Sequence, residues 1–338
     1  MKTKDIVIGL IIAALVILYL IQKEHKSAAT PTKPTVNLYL NVDRSCADAI
    51  LDRFEKESNV TLFRHYDFNG KWLQQLIRSK EHDADLYWSE DPIEAMLLKE
   101  RNLTRPYRSP FAETIPARFK DREAHWTGLA GRLRLLITHR GARRVPTGIE
   151  DFIHPLFKGH GVLATPLHGS QRVYVAALLR RWGPDRTEAF LRKLKYNVKI
   201  TSNDQISGDL VAQGRYDFTL IDSDDALRRI RHKEPLITIF PDQNPKAPGT
   251  LVIPDSITLL RKAPHPKAAK KLFDYLLRPD TAKELALRCG KLPLQKGVEV
   301  SQPLLGATRI KTMEIDYNDI ARQLPALRSL LHRWSMKR

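Results

Sequence analysis

A chain of 338 residues is too long for one ordinary hydrophobic core and has about the length of two globular lobes. Hydrophobic residues make up 42% of the chain, and its 21 prolines and 16 glycines indicate many short connections rather than disorder. The 56 lysines and arginines exceed the 38 aspartates and glutamates by a net charge of +18, which favours anionic partners. Because these basic residues are scattered along the chain, a well-solvated basic surface accounts for them better than a single anion-binding face does.

The amino terminus carries a hydrophobic segment. Residues 6–21 are uncharged and follow Lys2 and Lys4, a pattern typical of a secretory signal. As a helix this segment is about 24 Å long, slightly shorter than a hydrocarbon core of about 30 Å. We expect residues 1–27 to form an uncleaved signal-anchor that holds an extracytoplasmic body at the cytoplasmic membrane. Cleavage near Ala29 is the alternative.

After a short linker, the pattern alternates between strands and helices. Residues 36–42 have a hydrophobic residue at every second position, which predicts a half-buried strand, and Ser45 is suited to cap the helix that follows. The predicted strands of this part are 36–42, 60–66 and 85–88, and its helices are 46–56, 70–80 and 93–99. This order predicts a parallel sheet covered by helices.

The strand predicted at 132–138 leaves this first unit, and a second α/β unit follows. Its predicted strands are 161–164, 198–201 and 218–221, and its helices are 170–182, 185–194, 204–213 and 224–231. Segments 237–240 and 250–253 lead back to the first unit, and an amphipathic helix at 315–334, broken at Pro325, closes the chain.

Six short stretches carry a family resemblance through their order and spacing, although each is weak alone. The chain resembles bacterial extracellular solute-binding proteins of the ferric-iron-binding type, the ligand receptors of ABC importers. The stretches are 84–90, 107–110, 126–128, 208–214, 222–226 and 249–254, and the resemblance spans about 36–297.

The resemblance implies an α/β fold of the type II periplasmic-binding-protein class, in which a two-strand hinge joins two lobes around a ligand cleft. The composition of residues 28–35, with two prolines and three threonines, predicts a linker there. The other predicted limits are 36–137 with 254–295 for lobe 1, 138–253 for lobe 2, and 296–338 for a C-terminal helical extension that packs on the lobes. The resemblance also implies an ABC permease and its ATPase as partners, a monomeric state, and no required cofactor.

Ligands of open α/β sheets lie at the carboxyl ends of the strands, and four polar loops occupy such positions. They contribute the candidate ligand-binding residues Asp43, Arg44, Glu90, Gly169, Ser170, Gln171, Asp222, Asp224 and Asp225. The alternative for Ser45, Ser170 and Asp224 is that each only caps a helix.

Glu90 matches the position at which ferric-binding relatives supply a carboxylate. Asp224 and Asp225 stand where those relatives have an adjacent pair of tyrosines, so the chain departs from the family pattern there. Carboxylates are hard oxygen donors but are less selective for Fe(III) than phenolates. Glu90, Asp224 and Asp225 are therefore the candidate metal ligands, and an iron complex or another solute suits them as well as bare iron does.

The loop 169–171 corresponds to the loop where relatives bind an anion through backbone N–H groups at a helix start. Free amides and the positive end of a helix favour an anion there. Arg44 and Arg172 are placed to add hydrogen bonds to it, and the alternative is a capped helix with exposed arginines.

Three questions stay open at this point. A metal-assisted hydrolase that uses Asp222, Asp224 and Asp225 is the alternative function, although no metalloprotease, nucleophile-elbow or P-loop spacing occurs. A nucleic-acid binder has only the net charge in its favour. Cys46 and Cys289 are either buried thiols in separate elements or one long-range disulfide.

Overall fold

The computed structural model describes residues 33–67, 70–299, 306 and 309–336. The predicted signal-anchor at 1–27 and most of the predicted linker at 28–35 lie outside these residues. In the described ranges, no helix combines the length and the hydrophobicity that crossing a bilayer requires.

Ten strands and eleven α-helices make up the described fold. The strands are β1 (Thr35–Asn41), β2 (Thr61–Tyr66), β3 (Leu86–Ser89), β4 (Thr127–His139), β5 (Val162–Ala164), β6 (Lys199–Thr201), β7 (Phe218–Asp222), β8 (Leu236–Ile239), β9 (Val252–Leu259) and β10 (Leu292–Pro293). The helices are α1 (Arg44–Ser58), α2 (Lys71–Ser79), α3 (Pro92–Glu100), α4 (Gly169–Trp182), α5 (Pro184–Asn197), α6 (Asp204–Ala212), α7 (Ser223–Arg231), α8 (Pro266–Leu276), α9 (Pro279–Cys289), α10 (Tyr317–Arg322) and α11 (Leu324–Met336).

The first sheet has the order β10-β4-β9-β3-β1-β2. Strands β2 and β3 flank β1 and run parallel to it, while β9 and β4 continue the sheet in antiparallel pairs. In β1 every second side chain is buried, as the alternation of its sequence predicts, and Val36, Leu38 and Leu40 have no exposed surface. The predicted parallel arrangement of the first three strands is confirmed.

Strand β4 passes from this sheet into the second group of strands. Its amino-terminal half pairs with β9 and β10, and its carboxyl half pairs with β7 and β8. Twelve of its 13 residues are buried, so the strand is covered along nearly its whole length. Beyond it, β5 and β6 form a parallel pair that a bridge between Gly161 and Phe218 connects to β7. The crossing strand predicted at 132–138 is therefore the carboxyl-terminal half of β4.

Two predicted helices differ from the observed ones in their details. The large hydrophobic residues of the helix predicted at 204–213 are Ile206, Leu210 and Val211, and the sequence predicts that all three face inward. In α6, 43% of Ile206 is exposed, whereas Ser207 and Val211 are buried. Gly208 shows why: a Cβ at this position would lie 2.6 Å from the guanidinium carbon of Arg229, so the helix packs with its glycine against α7. The predicted inward position is wrong for Ile206 and right for Val211, while Leu210 is half-buried against the core.

The predicted C-terminal helix at 315–334 is two helices. Asp316 caps α10 by accepting a hydrogen bond from the Asn318 N–H, so the helix begins two residues later than predicted. The break falls at Gln323 rather than at Pro325, because Pro325 lies in the first turn of α11, where its missing N–H removes no helical hydrogen bond.

A disulfide joins Cys46 in α1 to Cys289 at the end of α9, with the two Cα atoms 5.7 Å apart. This settles the question that the sequence left open. The bond ties the first turn of α1, which follows the loop at Asp43, to the segment that leads into β10.

Candidate functional site

The predicted site loops lie at the ends of strands, as the topology requires. Strands β1 and β3 run in parallel with Asn41 opposite Ser89, so the loops that follow them leave the same edge of the sheet. The Asp43 N–H lies 3.4 Å from Glu90 Oε1 and donates to it, which brings the first two loops together.

Arg132, on the crossing strand β4, joins the loops from both groups of strands. Its Nε donates to Asp255 Oδ1 over 3.2 Å, and the same guanidinium donates to the backbone carbonyl of Glu90. On the other side it pairs with Asp222 at the end of β7 and donates to Ser170 Oγ over 3.0 Å. Only 4% of Arg132 is exposed. One buried guanidinium therefore contacts four of the segments that surround the candidate site.

Arg134, two residues further along β4, supports Asp222 from behind. It is fully buried and donates to Asp222 Oδ1 over 2.8 Å and to Asp204 Oδ2 over 2.5 Å. Its other terminal nitrogen donates to Gln171 Oε1 and to the carbonyl of Leu220. This arginine fixes the carboxylate of Asp222 and the start of α4 in one geometry.

Lys291 supplies a second buried cation. It has no exposed surface, and its ammonium donates to Glu90 Oε1 over 2.7 Å and to Asp255 Oδ2 over 2.5 Å. Burial alone would raise the pKa of Glu90, but Lys291 and Arg132 together lower it below its ordinary value. Glu90 is thus a carboxylate whose counter-ion is Lys291 of the same chain, and 23% of its side chain remains exposed.

Asp222 is held as a carboxylate by the two arginines of β4. Burial opposes its ionisation, but Arg132 and Arg134 lower its pKa below the ordinary value, and Ser170 Oγ–H donates to it over 2.5 Å. Such a carboxylate is a poor proton acceptor, so its chemistry favours structural support over general-base catalysis.

Asp224 and Asp225 are adjacent in α7 but have different partners. Burial and the negative charge of Glu90 raise the pKa of Asp224 to about 7, although Arg132 and Lys291 act against the shift. Asp225 instead pairs with Arg229, 3.2 Å from its Nε, and with Arg228, within the same helix. Of the two carboxylates, Asp224 is the one that interacts with Glu90.

The first-strand loop is organised by Asp43 rather than by Ser45. Asp43 caps α1 and accepts hydrogen bonds from the Ser45 N–H and hydroxyl over 2.8 and 2.6 Å, so the predicted capping role of Ser45 is wrong. Arg44 is 71% exposed and pairs with Asp48 over 3.0 Å on the outer surface of α1. The structure does not place Arg44 with Arg132 and its partners.

The start of α4 presents backbone donors. Gly169 has a left-handed φ of 61°, and the preceding His168 makes no capping hydrogen bond with its side chain within the described chain. Ser170 donates to Asp222 instead of capping this helix, which corrects the alternative reading of Ser170 as a cap. The side-chain nitrogen of Gln171 is buried and has no hydrogen-bond partner among the described residues.

Arg172 does not lie free beside this helix start. It pairs with Asp91, the cap of α3, over 2.5 Å, and both side chains are largely buried. This ion pair connects α4 with α3, so Arg172 is committed to a protein partner rather than to the anion that the sequence suggested.

The candidate metal ligands were Glu90, Asp224 and Asp225. Across residues 33–67, 70–299 and 309–336, no three or more histidine, cysteine, aspartate and glutamate side chains form a group that could hold a metal ion. Glu90 and Asp225 are instead each paired with a cation of the protein, Lys291 and Arg229.

Sequence reasoning missed Arg132 and Lys291 as site residues. A signal for the first was present: arginines at 132 and 134 share one face of an otherwise hydrophobic strand, and a buried charge requires a partner. Lys291 offers no such signal, because it lies between a helix end and a two-residue strand.

Comparisons with solved structures show the same fold. Apo ferric ion-binding protein A from Pasteurella haemolytica superposes with a TM-score of 0.81 at 22% identity, covering 90% of this chain and 98% of that one. Iron-bound HitA from Pseudomonas aeruginosa gives 0.79 at 19% identity, with 89% and 99% covered. Trichodesmium IdiA (FutA), in complex with iron and citrate, gives 0.75 at 20% identity, also with 89% and 99% covered. The two-lobed α/β fold predicted from the sequence is confirmed.

The family comparison gives the same result from the sequence. The model for bacterial extracellular solute-binding proteins matches residues 44–286, well over half of the chain. This range includes the loops at Glu90, Ser170 and Asp222, and both long strands β4 and β9. The chain belongs to the bacterial extracellular solute-binding protein family, whose members bind solutes for ABC importers.

Proposed function

We propose that this chain traps a small solute between its two lobes, at the surface formed by Glu90, Ser170, Asp224 and the amides of α4, and delivers it to an ABC permease. The observation that carries the proposal is the position of Arg132. It lies on the strand that crosses between the lobes and contacts polar groups from both of them. Closure would therefore assemble the site.

The proposed motion is a hinge about β4 and β9. These strands pair where Leu133 lies opposite Val252, close to Arg132. The proposed lobes are residues 36–137 with 254–295, and 138–253, with 296–338 as an extension packed on both. The Arg172–Asp91 ion pair would join the closed lobes and would separate on opening.

Iron in a complexed form is the solute that we propose. Two of the solved structures with this fold have bound iron, and one of these also has citrate. In this chain Asp224 and Asp225 stand where the resemblance expects two tyrosines, and phenolates are the donors that favour bare Fe(III) most strongly. The backbone donors of α4 are placed to receive an anionic group of the complex.

We propose further that the chain performs no catalysis. Members of its family are binding proteins. The alternative of a metal-assisted hydrolase needs a free carboxylate as base, whereas Asp222 is held by Arg132 and Arg134 and Asp225 is held by Arg229. Asp224 alone of that cluster has a pKa near neutrality, and one carboxyl does not both hold a metal ion and act as the base.

Family membership implies a location outside the cytoplasm and an ABC permease as partner. The finer proposals are that residues 6–21 anchor the protein in the cytoplasmic membrane, and that the body works as a monomer. The linker at 28–35 would let the body reach the permease while it stays tethered.

Thermal unfolding with ferric citrate tests the binding site. A ligand that binds only the folded state stabilises it by RT ln(1 + [L]/Kd). We expect ferric citrate to raise the Tm of the wild-type protein and metal analysis of the purified protein to find iron. Asp224→Ala should lose the Tm shift, since Asp224 lies in the cleft beside Glu90.

Asp225→Ala is the matched control. It removes the neighbouring carboxylate, which pairs with Arg229, so it should lower the Tm of the free protein but keep the shift caused by ferric citrate. An unchanged shift in Asp224→Ala, or its loss only in Asp225→Ala, would remove Asp224 from the site.

A further inference from the structure

Lys291 is an ammonium ion enclosed by carboxylates at the edge of the cleft. It follows Gly290, whose left-handed φ of 66° ends α9, and it precedes β10. Its Nζ lies 2.7 Å from Glu90 Oε1 and 2.5 Å from Asp255 Oδ2, with no exposed surface of its own. The ammonium thus neutralises two carboxylates that would otherwise attract another cation.

The charges around Lys291 leave little attraction for a second bare cation. Arg132 and Lys291 are both buried beside Glu90 and Asp255, and Arg132 lies 3.2 Å from Asp255 and also pairs with Asp222. A multivalent cation that approached Glu90 would have to compete with the Lys291 ammonium, and the nearby positive charges of Lys291 and Arg132 would repel it. The carboxylate that the resemblance assigns to metal binding is therefore occupied by the protein itself.

The other side of the cleft favours an anion. The start of the 14-residue helix α4 has a glycine in left-handed conformation, a preceding residue without side-chain capping in the described chain, and a positive dipole end. The Gln171 side-chain nitrogen is buried, with 2% of the residue exposed, and no described group accepts its hydrogen bond. An anionic group at this position would satisfy donors that the protein leaves open.

We infer that Lys291 is a specificity-determining residue, whose ammonium takes the place of a metal ion beside Glu90 and Asp255, so that the cleft binds a metal ion only inside an anionic carboxylate chelate. This inference rests on the proposed function and names the class of solute. The chelate brings its own oxygen ligands, which removes the need for Glu90 as a donor. Carboxylates of the chelate that do not bind the metal would accept hydrogen bonds from the backbone N–H groups at the start of α4.

Measurements with manganese(II) chloride and with ferric citrate distinguish binding of a bare metal ion from binding of a metal chelate. We expect MnCl₂ to leave the Tm of the wild-type protein unchanged. Lys291→Met frees Glu90 and Asp255, and Mn²⁺ should then bind about tenfold or more tightly than to the wild type, because it replaces a lost buried counter-ion. Glu90→Gln in the Lys291→Met background should remove this gain.

Lys262→Met is the matched control, since Lys262 pairs with Glu81 over 3.2 Å at the surface. Its response to Mn²⁺ should equal that of the wild type. If Lys291→Met does not fold, the double variant Lys291→Met with Asp255→Asn removes one charge of each sign and leaves Glu90 free for the same measurement.

Equal Mn²⁺ affinity in the wild type and in the folded Lys291 variant would overturn the inference, and so would a wild-type protein that binds Mn²⁺ through Glu90. These readouts do not depend on the natural solute. A wild-type protein whose Tm does not change with ferric citrate would contradict the proposed function. The gain of Mn²⁺ binding in Lys291→Met would still support the role of Lys291.

Discussion

Asp242 shows how one buried carboxyl affects the stability of the fold. It has a left-handed φ of 61° and accepts hydrogen bonds from the Ile149 N–H over 3.2 Å and from the Tyr174 hydroxyl over 3.4 Å. Burial raises its pKa to about 6, and the negative charges of Glu150 and Asp151 add to the effect.

The raised pKa predicts a loss of stability as pH rises. The unfolded chain releases this proton near its ordinary pKa of 3.8, whereas the folded protein holds it until about 6. Well below pH 3.8 both states are protonated, and between about pH 4 and 6 the folded state loses up to about 3 kcal/mol relative to the unfolded one.

Asp242→Asn tests this, because asparagine keeps an acceptor for Ile149 and tolerates the left-handed backbone. Urea unfolding should give a higher free energy of unfolding for the variant at pH 7.5, and a difference that shrinks toward pH 4.5. A difference of the same size at both pH values would contradict the prediction.

Single residues also show what the sequence could reveal about the site. Glu90, Ser170 and Asp222 follow strands or begin helices, and the carboxyl-edge rule finds such positions from local patterns alone. Lys291 lies 201 positions from Glu90, its partner in the fold. Local periodicity carries no information on a pairing at that distance, so this cation became visible only when the chain was folded.

At the scale of elements, the disulfide connects α1, which follows Asp43, with α9, which precedes Lys291. Cys46 and Cys289 are 243 positions apart, so their bond closes most of the chain into one loop. A bond that closes a long loop restricts the unfolded chain, and removal of a native disulfide typically costs about 2–5 kcal/mol.

We expect the double variant Cys46→Ser with Cys289→Ser to lower the free energy of unfolding by about 2–5 kcal/mol. Dithiothreitol should lower the Tm of the wild-type protein in the same way and leave the double variant unaffected. Equal sensitivity of both proteins to the reductant would show that the bond is not the cause. Because both cysteines are buried, dithiothreitol should reduce the bond slowly. The Tm is therefore measured after several incubation times.

Most helices and strands were predictable because they are amphipathic and have clear terminal signals. Pro92 and Pro184 begin helices in the structure at positions that the sequence marks, because proline is well tolerated in a first turn. The face of α6 was not predictable, because a glycine, rather than a large hydrophobic residue, makes its closest contact with α7.

On the scale of the whole molecule, the C-terminal helices contact helices of both α/β units. Arg328 of α11 donates twice to Glu100 at the end of α3, while Asp319 of α10 pairs with Arg180 of α4. Tyr317, the first residue of α10, is fully buried and donates to the carbonyl of Val252 at the start of β9. The periodicity of these helices predicted that they form but not the surface on which they pack. A hydrophobic face shows that a helix is buried on one side and carries no information on which element covers it.

The ion pairs of Arg132 have a consequence for how fast a solute leaves. With a net charge of +18, the protein attracts an anionic complex over long distances, and dissolved salt screens that attraction within about 8 Å at 0.15 M. The contacts of Arg132 with Asp222 and Asp255 are hardly reached by water or dissolved ions, so salt screens them far less.

Stopped-flow measurements with ferric citrate should therefore show an association rate that falls as NaCl rises from about 0.05 to 0.5 M, and a dissociation rate that stays nearly constant. A dissociation rate that follows the salt concentration would mean that release depends on solvent-exposed charges. A constant dissociation rate would indicate that the buried ion pairs on β4, a strand of the proposed hinge, set the residence time, and the protein would then retain the proposed solute equally well in dilute and in saline surroundings.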